Sequence, residues 1–281
     1  FLKRLGLLRP RLVASYIGGD IMDCPEYDYG KRRTPMVSWL IRNSLPGVDV
    51  MRALCDSLAR ILIKEGADTA RIAVWPIQML AAPEVPAAAF ARRAELRAGV
   101  RARYGMPADA PLVITLSGNH KGKGMQHLAQ AWPAVCAAVP GARWLLCGPD
   151  NPWLDEAVRP VLAAAGLAAT VSYSGALRGA EVYEHLAAAD LHVNPTLCEG
   201  LNMATVDAAA GGTPSVSSDA AGISDYVRDH DAGLVVPAAD VPALAGSVIA
   251  ALTDPERRLT WQTRSRTMAG SRLSACSRIR A

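Results

Sequence analysis

Apolar residues in this chain come in short blocks of strand length, and most blocks are followed by a stretch with helical spacing. Residues 12–17 (Leu-Val-Ala-Ser-Tyr-Ile) predict a strand that runs into the turn Gly18-Gly19-Asp20. The polar residues 23–34 read as a loop, 36–42 as a short helix and 48–51 as a strand. Residues 57–62 read as a helix stopping near Gly66, and 72–75 as a strand ended by Pro76. Before them, Leu2, Leu5 and Leu8 share helical spacing. The chain starts at Phe1 and is expected to open in mid-helix, as a piece of a longer protein. Residues 1–78 thus alternate strand and helix, as one half of a doubly wound sheet does.

The same rhythm returns further on. Residues 81–89, rich in Ala and Pro, read as a connection, and 92–103 as a basic helix. Leu112-Val113-Ile114-Thr115-Leu116 is apolar or β-branched throughout, the pattern of a parallel strand buried on both faces. A helix is expected over 125–138 with a kink at Pro133. Then come strand 143–147, helix 153–165, strand 170–174, helix 180–189 and a strand at 191–193. Helix 203–212, strand 214–217, helix 221–227, strand 233–236 and helix 241–252 follow. Right-handed crossovers make this a parallel sheet with helices on both faces. The organisation expected is 1–78, then 79–255, then a basic, helical tail at 256–281.

Composition narrows the class. The 281 residues are 51% hydrophobic and 20% charged, which fits a packed globular protein. The net charge of +4 is too small to indicate nucleic acid. The basic excess is local: Arg257, Arg258, Arg264, Arg266, Arg272, Arg278 and Arg280 crowd the tail. That tail reads first as a solvated helix face, and otherwise as a contact for an acidic surface, a membrane headgroup layer or ligand phosphates. No apolar run reaches 18 residues. Cys24, Cys55, Cys136, Cys147, Cys198 and Cys276 show no C-x-x-C spacing. They read as small core fillers suited to a reducing cytosol, with Cys198 alone a candidate nucleophile.

Two stretches carry candidate chemistry. Ser117-Gly118-Asn119-His120-Lys121-Gly122-Lys123-Gly124 lies between a strand and a helix start. Glycines there let backbone N–H groups approach a phosphate, and Lys121 or Lys123 supplies a point charge. No Ser or Thr follows the lysine, so a Walker-type loop is rejected. The other stretch is Asn194-Pro195-Thr196-Leu197-Cys198-Glu199-Gly200-Leu201-Asn202, with the helix after it. Asn202 suits an N-cap. Met203, Val206, Asp207 and Ala210 share a face, which turns Asp207 inward, where an acid needs a partner. The local spacing equally fits an ordinary strand-to-helix joint.

Taken together these residues resemble a retaining GT-B glycosyltransferase, close to family 4. The region Asn194 to Pro214 resembles the family signature P-S-x-x-E-G-x-x-x-x-x-x-E-A-x-A-x-G-x-P. The resemblance implies two Rossmann-like sheets facing a cleft, the first one truncated here. It implies a nucleotide-diphosphate-sugar donor, and a glycan, lipid or small-molecule acceptor that the sequence does not name. No cofactor is implied, the nucleotide sugar being a substrate, and no metal. By the same resemblance Lys123 contacts the pyrophosphate and Glu199 the transferred sugar. Gly200, Leu201 and Asn202 offer backbone N–H groups, Asp207 the ribose contact and Leu177 a base contact. Gly118 and Asn119 belong to the loop on the donor side, and Gly18, Gly19 and Asp20 to the acceptor side. The chain departs from the family at Asn119, where an arginine is usual, at Ile17, where a histidine is common, and at Asp207, a methylene shorter than the glutamate. A catalytically silent nucleotide-sugar-binding module and a GT-B epimerase remain as alternatives.

Overall fold

A computed structural model describes residues 6–7, 10–77, 81–118, 120–220, 222–271 and 277–278. Among them ten strands form two sheets. In the first sheet, β1 (Val13–Tyr16), β2 (Val50–Ala53) and β3 (Ile72–Val74) are parallel and in sequence order. Helix α1 (Pro35–Ser44) lies between β1 and β2, and α2 (Asp56–Lys64) between β2 and β3. The expected opening helix with Leu2, Leu5 and Leu8 falls outside the described residues.

Residues 81–89 are not a simple connection. Helix α3 (Glu84–Ala91) forms there, and α4 (Arg93–Arg103) follows directly. Alanine is the best helix former, and Pro86 sits early enough in α3 to cost no interior hydrogen bond.

The second sheet holds β4 (Leu112–Leu116), β5 (Arg143–Cys147), β6 (Val171–Gly175), β7 (Leu191–Asn194), β8 (Ser215–Ser218) and β9 (Gly233–Val236). All are parallel, in the order β6-β5-β4-β7-β8-β9. The chain winds outward from β4 through β5 to β6, then returns to lay β7 on the other side of β4. A crevice opens at such a reversal, at the carboxyl ends of the two strands. The two stretches singled out by sequence, after β4 and after β7, both emerge there.

Helices cover both faces of this sheet. One face packs α5 (Met125–Ala138) and α11 (Val241–Thr253) over a core that includes Trp132, Trp144 and Val248. The indole N–H groups of those tryptophans donate to Thr170 (2.8 Å) and Thr115 (3.0 Å), so burial strands no donor. α5 runs unbroken through Pro133. The other face carries α3, α4, α8 (Ala180–Ala188) and α9 (Met203–Ala210). The single helix expected at 153–165 is two, α6 (Pro152–Ala157) and α7 (Arg159–Ala164). Pro160 lacks the N–H that a continuous helix needs, and the chain breaks at Val158. α10 (Ser224–Asp229) starts later than expected.

The basic tail is corrected most. α12 (Pro255–Ser271) is helical, but Ser277–Arg278 forms β10, antiparallel to β3 of the first sheet. Arg257, Arg264 and Arg266 are exposed on α12, as a solvated helix face requires, but each has a neighbour. Arg264 pairs with Asp231, Arg257 lies over the Trp261 ring and Arg266 over Phe90, 4.0 Å from the ring centre. Arg272 and Arg280 fall outside the described residues.

The two halves meet at the turns after β1 and β7. A Cβ on Gly200 would collide with the Ile17 carbonyl oxygen and come within 2.9 Å of the Gly18 Cα, so only glycine allows this approach. The Gly222 and Ile223 N–H groups bond the carbonyls of Gly200 (2.9 Å) and Leu201 (3.0 Å). Arg60 reaches Asp225 at 3.2 Å. A disulfide joins Cys24 to Cys198, 174 residues apart. The reading as an unpaired core filler thus fails for Cys24, and Cys198, set apart as a candidate nucleophile, is not a free thiol. The appeal to a reducing cytosol loses its ground with it. Cys55 and Cys147 are buried, and burial raises their thiols, to about 11 and about 12. No described helix is long and apolar enough to cross a membrane.

Candidate functional site

A cavity of about 430 Å³ lies where the two halves face each other. From the first half it is lined by Ile17, Leu54 and Ile77. From the second, the end of β4 contributes Leu116, Ser117, Gly118 and Lys123, and the turn after β7 contributes Glu199, Leu201 and Asn202. Met203 and Ala204, the first residues of α9, and Leu177 complete the wall.

Local chemistry explains why these groups converge. The Gly122 carbonyl accepts from Leu197 N–H (2.8 Å) and from the Thr196 hydroxyl (3.0 Å), which ties the lysine loop to the turn after β7. Gly124 has φ +73°, and a Cβ there would strike the Pro195 carbonyl. Asn202 also takes positive φ (73°), which asparagine tolerates. Its side-chain oxygen accepts from Thr205 N–H and from the Thr205 hydroxyl, both at 2.9 Å, and so caps α9. Its amide nitrogen donates to Asn194 (3.0 Å), which in turn donates to Ser217 (3.3 Å). The helix start is thereby fixed, and the first residues of α9, Met203 and Ala204, border the cavity.

Lys123 Nζ and Glu199 Oε2 form an ion pair across the opening. Both side chains are largely buried, 20% and 15% exposed, so solvent screens the pair only in part. The Asn202 amide also reaches Glu199, at 3.4 Å. Beside them Tyr29 was missed by sequence reasoning. Its hydroxyl lies against Gly18 and Gly19, and burial, then the Glu199 charge, raise its pKa. His120 is pushed down, by burial first and by Lys123 second, so it is held towards its neutral form.

The remaining sequence candidates fall as follows. Gly118, Lys123, Leu177, Glu199, Leu201 and Asn202 share the cavity. Gly200 does not line it; it makes the contact between the halves. Asp20 turns its carboxylate on the N–H groups of Ile17 (3.0 Å) and Gly18 (2.8 Å), closing the turn that sets Gly18 against Gly200. Gly19 lies under Tyr29. Asp207 lies one helical turn beyond Met203 and accepts a 2.6 Å hydrogen bond from Tyr183. Burial raises the Asp207 pKa, and the Tyr183 hydrogen bond opposes this. Asn119 lies outside the described residues. Ile77 and Tyr29 gave no sequence signal, because each is placed by the approach of the two halves. Among the described residues no group of three His, Cys, Asp or Glu side chains is arranged to hold a metal.

With this geometry in place, comparison with known proteins is informative. The family model described as "Glycosyl transferases group 1" matches residues 110–254. A GDP-mannose-dependent alpha-(1-6)-phosphatidylinositol monomannoside mannosyltransferase of Mycolicibacterium smegmatis is 31% identical over 182 residues, covering 62% of this chain and 47% of the relative. Its namesake in Mycobacterium tuberculosis is 26% identical over 260 residues, covering 90% of this chain and 65% of the relative. The chain thus spans about half to two thirds of these relatives. Among solved structures, sucrose-phosphate synthase of Thermosynechococcus elongatus superposes with a TM-score of 0.78 at 19% identity, covering 96% of this chain and 66% of the other. Anabaena HepE in complex with UDP-glucose gives 0.78 at 18% identity, covering 96% and 70%.

Proposed function

Since the chain belongs to the group 1 glycosyl transferases and has their GT-B fold, we propose that it binds a nucleoside-diphosphate sugar in the 430 Å³ cavity and transfers the sugar with retention. The observation that carries this reading is the convergence of Lys123 and the N-terminus of α9 on one cavity, with Glu199 between them. Both are positive features, and a diphosphate leaving group gains charge as the glycosidic bond breaks. A fixed cation and a row of helix N–H groups stabilise that charge at the moment it develops. In this reading Leu177 lies under the base, Asp207 reaches the ribose, and Glu199 orients the hexose. The leaving phosphate accepts the acceptor's proton, so no side-chain base is needed. The acceptor enters from the side of Ile17, Leu54 and Ile77.

The relatives named above use GDP-mannose and a phosphatidylinositol mannoside, while HepE is solved with UDP-glucose. A mannosyl donor and a lipid-borne acceptor are therefore the first to try. The test is calorimetric titration with GDP, UDP and ADP, then incubation with the corresponding sugars, reading nucleoside diphosphate release. Binding of one nucleotide and its release from a sugar donor is the expected result. Donor binding without turnover on any acceptor would leave a silent binding module. No binding of any of the three nucleotides would refute the reading altogether.

A further inference from the structure

A second cavity, of about 190 Å³, lies at the opposite end of the second sheet. Its wall includes Asp190 and Pro214, the residues immediately before β7 and β8, so it faces away from the sugar cavity. The separation is at least the length of β7, roughly 13 Å at about 3.3 Å per residue. Arg93 and Arg97 of α4 and Arg258 of α12 complete it, with Gln262 one turn further along α12.

The charge balance at this place is unusual. On the wall of this hollow Asp190 is, among the described residues, the one carboxylate beside Arg93, Arg97 and Arg258, with Arg101 bonded to it from behind. That carboxylate already accepts from Arg97 (2.7 Å), Arg101 (2.8 Å) and the Leu112 N–H (2.8 Å). Arg101 is fully buried and spends its donors on Asp190 and the carbonyls of Ala110, Arg97 and Ala188. Among the described residues, Arg93 donates to the carbonyls of Gly212 (3.0 Å) and Ala189 (2.9 Å), and Arg258 to those of Ala251 (2.8 Å) and Leu252 (2.5 Å). Carbonyls satisfy N–H groups but do not neutralise charge. Burial, then Arg97 and beyond it Arg101 and Arg258, depress the Arg93 pKa to about 10, with Asp190 opposing. Gathered, partly buried cations with one carboxylate among them leave a net positive hollow, and desolvated charge is costly without a counter-ion.

We propose that this hollow is an anion site for a phosphate group, held by the outward N–H donors of Arg93, Arg97 and Arg258. Guanidinium forks match tetrahedral oxyanions, and the volume admits one phosphate with a small substituent. The shared chemistry is the phosphate; its source is either free in solution or a lipid headgroup. The Asp190 carboxylate on the wall selects for a group that meets the arginines rather than the floor. The site is separate from the sugar cavity and does not rest on the reading of that cavity.

The experiment titrates inorganic phosphate into the chain by calorimetry, at ionic strength held constant with chloride. It uses the wild type, Arg97→Gln, Arg258→Gln and, as a control in the other cavity, Lys123→Ala. Saturable binding is expected in the wild type and in Lys123→Ala, weakened at least tenfold in each arginine variant. The two arginines sit on different helices, and thermal melting shows whether each variant is folded; Arg97→Lys, which keeps the charge and loses the fork, is expected to bind at intermediate strength. Three results overturn the proposal: no saturable binding in the wild type, binding in both arginine variants as tight as in the wild type, or loss in Lys123→Ala alone. Co-sedimentation with phosphatidylglycerol against phosphatidylcholine vesicles then separates the sources. Retention on the anionic vesicles that the arginine variants lose assigns the site to a headgroup, and no retention assigns it to the free anion.

Discussion

Lys123 is paired with Glu199, so a diphosphate that binds Lys123 has to displace a carboxylate. Replacing Glu199 by Gln removes that competitor and the like-charge repulsion between the carboxylate and the phosphates. The gross attraction of such a pair is about 4 kcal/mol at 4 Å with an effective dielectric near 20. Most of it is repaid by desolvation, and exposures of 20% and 15% leave some screening, so the net value is about 0.5–1.5 kcal/mol. Glu199→Gln is therefore expected to tighten nucleoside diphosphate binding roughly 2- to 12-fold. The same variant is expected to bind the nucleotide sugar no better and to transfer it far more slowly, because in the proposed reading it removes the carboxylate that orients the hexose. Lys123→Ala should weaken the diphosphate by about 1.5–3 kcal/mol, the range for a hydrogen bond to a charged group. In the double variant the part of the gain that comes from freeing Lys123 should vanish, leaving only the relief of like-charge repulsion. Calorimetry on the four proteins completes the cycle. If Glu199→Gln weakens the bare diphosphate, or helps equally with and without Lys123, the competition argument is refuted.

Three further outcomes are expected. Tyr183→Phe removes the 2.6 Å hydrogen bond to the buried Asp207 and should cost about 1.5–3 kcal/mol in urea unfolding at pH 7; because burial raises the Asp207 pKa, ionised Asp207 is a burden whose absence stabilises at low pH and is lost as pH rises, so Asp207→Asn should gain on the wild type with rising pH, and a flat difference would contradict this. His192 is wholly buried, with its pKa lowered to about 3, so the unfolded chain binds the extra proton between roughly pH 6.5 and 3; stability should fall by up to about 1.4 kcal/mol per pH unit as pH drops through that window, and His192→Asn should remove that slope. Cys24 and Cys198 should resist alkylation in the unreduced, denatured chain while Cys55, Cys136 and Cys147 react; Cys24→Ser should lower stability by about 2–4 kcal/mol, and labelling of all five would exclude the disulfide.

Which elements the sequence announced follows from where the core lies. β4 and β5 match their expected limits because Leu112–Leu116 and Arg143–Cys147 are buried on both faces, where an apolar run has one reading. β2 does not: it starts at Val50, two residues later than expected. Val48 is buried but belongs to a turn, and the first-sheet strands are short and half exposed, so the pattern there is weak. Residues 84–91 hid a helix because alanine marks no face; helix propensity alone had to identify it against two prolines. β10 carried no signal, since two residues are too few for a strand pattern and their pairing to β3 is made across the fold.

The site divides along the same line. Lys123, Glu199, Leu201 and Asn202 were legible because the chemistry that places them is local: a glycine at positive φ, a Pro after a strand, an asparagine that caps a helix. Residues placed by the meeting of the two halves were not. Gly18, Gly200 and Asp20 form one joint, in which Asp20 spends its carboxylate on backbone N–H groups so that two glycines can touch. An acid after two glycines reads as a ligand group in sequence because nothing nearby shows it a partner; the partner is its own turn. Asp207 inverts this case. Its inward position was legible from helical spacing, yet its hydrogen bond comes from Tyr183, 24 residues earlier, and a shorter side chain than glutamate is held back by that bond. A ribose placed as proposed must therefore share Asp207 with Tyr183, its hydroxyl donating to one carboxylate oxygen while the tyrosine donates to the other.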